Sequence, residues 1–401
     1  MKRILLLSIF VALNLSANNL SQIIKSVQTS SKSKAILEKL KSDIAQNELS
    51  QSYDAPSLNA SVSHADSIPS DAKDGIEYAV GISQDISHPF SRSLNDTSVQ
   101  EYTKAMKQEA KHKLHILELE IISAYHSTCI SKEMSEKSLL LYQQQSKRYY
   151  QVKTAYELGE ISKKDLLFNK LDLSKLQKNV NAYKRAYLSE FSSLQERVDN
   201  LKIDSLECND LVLPRKHIVL NAIDEHGELK VLQYQKNATQ ALSQLYDSPI
   251  TSLGYELGYE KELDTRRYTF GINIPLGGLS SQKEKLKAEQ LALSSSYEYE
   301  KEATKAQIQN YSNNAVATLE LLFNEFQLLE NEILPLNKEL LSLSKLALLE
   351  GEGDIMEYID ASRSYSLNLI EMLETKKKYY YELFELYKKA DLELGEKACV
   401  H

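Results

Sequence analysis

Glycine and proline are scarce in this 401-residue chain, at 12 and 7, and tryptophan is missing altogether. Average usage of about 7% and 5% would put roughly 28 and 20 of them in a chain this long. Tight turns draw on those residues, so the composition argues against a many-stranded globular enzyme and predicts long helices. After the N-terminus no apolar run approaches the ~20 residues of a spanning helix, so any membrane insertion must use strands. An excess of cations is missing too: 48 Lys and Arg stand against 56 Asp and Glu, a net charge of −8, which argues against a nucleic-acid partner. There is no Gly-x-Ser-x-Gly, no His-Glu-x-x-His and no phosphate loop. We therefore read no enzyme, no catalytic residue and no cofactor. His112, His115 and Glu118 fall at three-residue steps, a spacing metals use, but eight histidines among so many charges produce such a row by chance. No metal site is assigned.

What is present begins with a basic start, Lys2 and Arg3, then an apolar stretch from Ile4 to Leu15, then Ser16 and Ala17. That pattern reads as a secretory signal peptide over residues 1–17. An exported compartment permits a disulfide. Of the three cysteines, Cys129, Cys208 and Cys399, the reading pairs Cys208 with Cys399, with isolated thiols as the alternative.

The few glycines and prolines then divide the chain. None occurs between Ser91 and Leu158, and Gly159 is followed by another clean stretch to Pro214. From Leu279 to Leu334 the chain is clean again; Pro335, Gly351 and Gly353 punctuate, and Asp354 to Leu394 is clean. A helix from about Leu94 to Leu158 would be roughly 100 Å long at 1.5 Å per residue. Apolar residues at alternating steps of three and four, such as Leu319, Leu322, Phe326, Leu329, Ile333, Leu336, Leu340 and Leu343, mark helices that coil around partners. Pro335 inside that pattern predicts a kink or a break.

The punctuation repeats. Tyr53-Asp54-Ala55-Pro56 recurs 193 residues on as Tyr246-Asp247-Ser248-Pro249, and Gly159-Glu160 recurs 192 residues on as Gly351-Glu352. We read a duplicated unit of roughly 190 residues. Residues 18–215 form the first repeat, with a short helix, a strand pair at about 56–88 and a helix hairpin with its tip near 159. Residues 216–401 form the second, with a helix, a strand pair at about 250–276 and a hairpin tip near 351. In the strand pairs the apolar period becomes two. Leu253, Tyr255, Leu257 and Tyr259 alternate with Gly254, Glu256, Gly258 and Glu260; Tyr268, Phe270, Ile272 and Ile274 follow the same rule, as do Ile76, Tyr78, Val80 and Ile82. Apolar toward lipid and polar toward a lumen is the pattern of a transmembrane barrel strand. Four strands cannot close, and open edges in lipid leave backbone groups unpaired, so several copies must pool them.

In this order of elements the chain resembles the TolC family of outer-membrane efflux channels. The most specific segments are Tyr156-Glu157-Leu158-Gly159-Glu160-Ile161-Ser162-Lys163-Lys164-Asp165-Leu166-Leu167 and Gly351-Glu352-Gly353-Asp354-Ile355-Met356-Glu357-Tyr358-Ile359-Asp360-Ala361, which look like the family's two hairpin tips. The resemblance implies a mainly α fold with a small transmembrane β part, built as a homotrimer. Each chain gives four strands to a 12-stranded barrel in the outer membrane of a Gram-negative bacterium, and long coiled helices to a periplasmic tunnel. It further implies a passive exit duct for tripartite efflux or type I secretion, docked by a periplasmic adaptor and an inner-membrane pump. Carried over residue by residue, Glu357 and Asp360 form acidic rings at the entrance. Leu158, Gly159, Ser162, Asp165, Leu166, Gly351, Gly353 and Ile359 make the tips on which an adaptor docks. Gly353 departs from the family, where an Arg at that position pairs in some members with the acid matched by Asp165, so a different closing contact is expected. Gly277-Gly278 reads as the turn from strand to helix. The rival reading is a pore-less periplasmic coiled-coil scaffold or adaptor, which would be water-soluble without detergent.

Overall fold

A computed structural model describes residues 19–66, 74–199, 201–209, 211–218, 220, 223–248, 250–275 and 281–393. The signal-peptide segment, Gly277-Gly278 and Cys399 lie outside the described residues. In chain order the elements are helices α1 (Leu20–Val27) and α2 (Ser31–Glu48), strands β1 (Ser57–Ala65) and β2 (Gly75–Ser87), and helices α3 (Pro89–Glu157), α4 (Lys163–Arg197) and α5 (Gly227–Leu245). Strands β3 (Ser252–Lys261) and β4 (Arg266–Asn273) follow, then helices α6 (Ser281–Leu328), α7 (Leu334–Glu350) and α8 (Ile355–Lys389). The chain is thus mainly helical with one small antiparallel sheet. Helix α3 starts five residues before the expected Leu94, at Pro89, because proline is tolerated in a first turn where its missing N–H would be unbonded anyway.

The chain divides into two compact units, one of residues up to 35, 114–221 and from 308, the other of residues 36–113 and 222–307. The second unit holds the sheet, in the order β1-β2-β3-β4, with every neighbouring pair antiparallel. Its register brings the apolar residues of all four strands to one face, since cross-strand partners point the same way. One row runs Leu58, Ile82, Leu257, Phe270, each the direct partner of the next. These four side chains are 70%, 52%, 62% and 65% exposed. Among the described residues no helix covers this face. The other face carries Ser61, Glu77, Glu256, Glu260 and Thr269. Behind the sheet, Asn47 donates from Nδ2 to the Val99 carbonyl at 2.9 Å, and Asn95 to the Ser50 carbonyl at 2.8 Å, fixing α2 against the first turns of α3.

The first unit packs parts of α3 and α6 with α4, α7 and α8 around Tyr125, Ile121, Leu319, Leu373, Tyr379, Tyr380 and Phe384, all buried. Of the tyrosine triplet after Lys376-Lys377-Lys378, Tyr379 and Tyr380 are core and Tyr381 is exposed. Pro335 does not break the helix, which continues through it. A single π turn, Leu329–Ile333, precedes it, and Ile333 and Leu334 keep helical dihedrals. A wide turn accommodates the proline by leaving out the hydrogen bond it cannot donate. The extra residue also rotates the apolar stripe. Leu319, Phe326 and Leu329 are buried before the turn, whereas Leu336, Leu340 and Leu343 after it are exposed.

A strap of irregular chain, described at residues 201–209 and 211–218, is tied down in this unit. Cys208 is bonded to Cys129 of α3, closing a sequence separation of 79. The expected Cys208–Cys399 pairing is therefore corrected: Cys129 lies on a buried helix face directly under the strap, a proximity that no spacing in the sequence discloses. The Tyr125 hydroxyl donates to the Glu207 carbonyl and the Tyr380 hydroxyl to the Val212 carbonyl. Arg215 N–H donates to the Tyr379 hydroxyl oxygen at 2.8 Å.

His126, fully buried, reads the same strap. The Val212 N–H donates to its Nε2 at 2.8 Å, so Nε2 carries no proton, and Nδ1–H donates to the Ile122 carbonyl at 2.8 Å. Burial pushes its pKa down to about 4, against a smaller upward pull from the Ile122 carbonyl. The unfolded chain, titrating near ~6.5, binds more protons than the folded one between those values. Stability is thus present above pH ~6.5 and lost as pH falls toward 4, by about 3 kcal/mol from this group. Thermal unfolding followed from pH 7 to 4 should show the loss, and His126→Gln, which keeps an acceptor and a donor, should flatten that part of the profile. Parallel profiles for the two proteins would remove His126 as its source.

Candidate functional site

Both hairpin tips are built by the same local devices. At the first, Gly159 stands at φ +80°, a left-handed conformation that favours glycine, and Glu160 N–H reaches back to the Ala155 carbonyl at 2.9 Å. That ends α3 in the manner of a C-terminal glycine cap. Ser162 then starts α4: its Oγ accepts from Asp165 N–H at 3.2 Å and donates to the Asp165 carboxylate at 2.6 Å, a serine N-cap with an acid in the first turn. At the second tip Gly351 stands at φ +76°, and the N–H groups of Glu352 and Gly353 both donate to the Ala347 carbonyl, at 2.9 and 3.0 Å. Asp354 caps α8 through Oδ1, which accepts from Met356 N–H at 3.0 Å.

The predicted tip residues fall into two sets. Leu158, Gly159, Ser162 and Gly351 are exposed; Asp165, Leu166 and Gly353 are half-buried. Ile359 is corrected: it is 1% exposed, so it supports the second tip from within and presents nothing to a docking partner. Its place on the inner face of α8 follows from the helical period, beside buried Ala361 and Ser362. Gly353 also explains its own departure from the family. A Cβ there would lie 2.9 Å from the Ala347 Cβ and 3.1 Å from the Ala347 carbonyl carbon, so this turn has no room for an arginine.

Other residues link the helices behind the tips. Arg363 donates from Nε to Asp172 Oδ2 of α4 at 3.0 Å and from Nη1 to Asp360 Oδ1 at 3.2 Å. Arg148 of α3 donates from Nε to the Tyr358 hydroxyl of α8 at 3.1 Å, its guanidinium 5.1 Å from that ring's centroid. It also donates to Gln145 Oε1 at 3.3 Å; Gln145 in turn reaches Asn169, and Asn169 Nδ2 donates to the Asp165 carbonyl at 3.2 Å. All three polar side chains are buried, and a buried polar group persists only when hydrogen-bonded. Further along, the Tyr183 hydroxyl donates to Glu374 Oε1 at 2.9 Å; burial, then that carboxylate, push its pKa up to about 12, so it stays a neutral donor.

Charge at the second tip is one-sided. Glu350, Glu352, Asp354, Glu357 and Asp360 follow one another with no cation before Arg363. Glu357 is exposed, while Asp360 shares Arg363 with Asp172, so the two predicted ring acids are not equivalent. Sequence reasoning missed Arg363, although its i, i+3 step from Asp360 was there to see. The links of Asp172 to Arg363, Arg148 to Tyr358 and Asn169 to Gln145 had no signal of that kind, because each joins two different helices. His112, His115 and Glu118 do not converge: the His112 ring lies tilted against that of His226, centroids 5.5 Å apart, and His115 Nε2 lies 3.1 Å from the Leu392 carbonyl. Among the described residues no cluster of metal-ligating side chains is found, and no helix is long and apolar enough to cross a membrane.

A four-stranded sheet with an exposed apolar face and long helices that reverse at two glycine tips are the elements of the TolC-type outer-membrane channel fold. No protein-family model and no curated protein sequence matches the chain. Among solved structures it is similar to the outer membrane protein VceC of Vibrio cholerae, at a TM-score of 0.74 and 12% identity, over 92% of this chain and 95% of that one. It is likewise similar to the CmeC outer membrane channel of Campylobacter jejuni, at 0.75 and 12%, over 95% and 88%. The third is the open state of the MtrE outer membrane channel of Neisseria gonorrhoeae, at 0.74 and 14%, over 92% and 88%. The resemblance read from the tips thus holds at the level of the fold.

Proposed function

We propose that this chain is one third of an outer-membrane exit duct working with a periplasmic adaptor and an inner-membrane efflux or type I secretion pump. The observation that carries the reading is the sheet: four strands with two open edges and an apolar face that nothing covers. In water that face is a liability and the edges invite further pairing. In lipid the edges must be closed by other copies, and three copies give twelve strands, within the known range for barrels. The two repeats, 18–215 and 216–401, each supply one strand pair and one hairpin to this assembly. The exposed Leu336, Leu340 and Leu343 of α7 supply the helix-to-helix seam that coiled neighbours need. The fold shared with outer-membrane channels supports the placement, with the helices on the periplasmic side.

Transport in this reading involves no chemistry. Adaptor contact at Leu158, Leu166 and the glycine tips opens the entrance, and the acids of the second tip, repeated around the axis, focus a negative potential that favours cations. Because Arg363 partly neutralises Asp360, Glu357 sets most of that potential. Single-channel recording in planar bilayers should show cation selectivity and divalent block reduced in Glu357→Ala, less so in Asp360→Ala, and most in the double variant. Conductance, selectivity and block identical to the parent would remove the entrance assignment.

A further inference from the structure

At the β3–β4 turn the exposed apolar face ends in three tyrosines and two cations. The Tyr259 ring lies between those of Tyr78 and Tyr268, at centroid distances of 6.4 and 5.3 Å. One step further, Lys261 is the cross-strand partner of both Tyr78 and Arg266. Its ammonium stands 5.6 Å from the centroid of the Tyr78 ring, which places Lys261, and by register Arg266, on the apolar side of the sheet.

The neutralisation of charge at this turn is uneven. Arg267, the next residue along and so on the polar side, holds Glu262 at 2.9 Å and Glu260 at 3.5 Å. The remaining acid of the turn, Asp264, accepts from the Thr265 hydroxyl at 2.8 Å. Among the described residues neither Lys261 nor Arg266 makes an ion pair. The acids of this turn thus serve the lumen-side cation, and the two cations on the lipid side are left for an outside partner. Cations are costly at mid-bilayer on a lipid face, but the penalty falls to ~0–1 kcal/mol at the interface. Tyrosines of a barrel mark that interface, lying at headgroup level. A cation just past such a belt meets headgroup phosphate. Arg offers a fork that matches two phosphate oxygens and Lys a point charge.

We infer that Lys261 and Arg266, seated on Tyr78, Tyr259 and Tyr268, bind the phosphate of a membrane-lipid headgroup at the rim of the barrel. The inference rests on the duct reading, because it needs the sheet in lipid. The test uses the full-length mature protein reconstituted into vesicles of phosphatidylcholine and phosphatidylglycerol in equal parts. Native mass spectrometry then counts which lipid each protein retains. Wild type is expected to retain phosphatidylglycerol preferentially, and to lose that preference as salt is raised. Lys261→Gln and Arg266→Gln should each lower the ratio about fivefold, the factor corresponding to ~1 kcal/mol per surface cation, and Arg267→Gln should leave it unchanged. If the protein floats with the vesicles but the ratio is indifferent to both variants and to salt, the headgroup site is overturned and the duct stands. If wild type does not float at all, the duct reading falls and the site with it.

Discussion

Phe270→Arg should all but abolish the assembled protein in outer membranes. Phe270 ends the row Leu58, Ile82, Leu257, Phe270, the middle of the uncovered face, so a charge there would sit near the bilayer centre. The penalty for Arg on a lipid face at that depth is about 2–4 kcal/mol. On the proposed three-copy barrel it is incurred three times, and the total rivals the whole stability of an ordinary domain, about 5–15 kcal/mol. Tyr255→Arg, on the same face, should act in the same direction. Thr269→Arg, one residue along and facing the other way, should be tolerated, since strand side chains alternate between lipid and lumen. Trimer yield in membrane extracts, scored by heat-modifiable electrophoretic mobility, separates the cases. Equal yields from Phe270→Arg and Thr269→Arg would mean that the apolar face does not meet lipid.

The second large effect concerns the strap. Cys129→Ser or Cys208→Ser removes a link that closes a loop with a sequence separation of 79, for which the chain-entropy account gives about 4 kcal/mol. On a chain of this size the melting temperature should drop by about 5 °C. The described residues of 201–218 have almost no regular hydrogen-bonded structure of their own, and their remaining ties are mostly side-chain contacts from α3, α4, α6 and α8. Losing the link therefore frees the strap from the core it covers. Cys399→Ser should leave the melt unchanged. A non-reducing peptide map should join the fragments carrying Cys129 and Cys208. A map joining Cys208 to Cys399, or a melt in which Cys399→Ser matches Cys208→Ser while Cys129→Ser is silent, would overturn this pairing.

Much of this protein was legible from residue order because its signals are local. The periods of two and of three-to-four, the clean stretches between glycines and the paired tips at Gly159 and Gly351 each depend on neighbours within a few residues. Backbone conformation is decided at that range. Signals were lost wherever two distant segments had to meet. The disulfide partner of Cys208 was one of two other cysteines until α3 and the strap were packed together. Ile359 read as part of a docking surface until the packing of α8 turned it inward. The burial of Arg148 against Tyr358, and the division of Arg363 between Asp172 and Asp360, joined residues 191 to 210 positions apart.

By itself the order of residues determined the secondary structure, the faces of the strands and the reversal points of the helices, since each follows from local sterics and periodicity. Only the tertiary structure decided which cysteines bond, that Ile359 turns inward and that Asp172 shares Arg363 with Asp360. Those outcomes depend on distances between segments far apart in the chain. Such distances are set by how whole helices pack, which no short window of residues encodes.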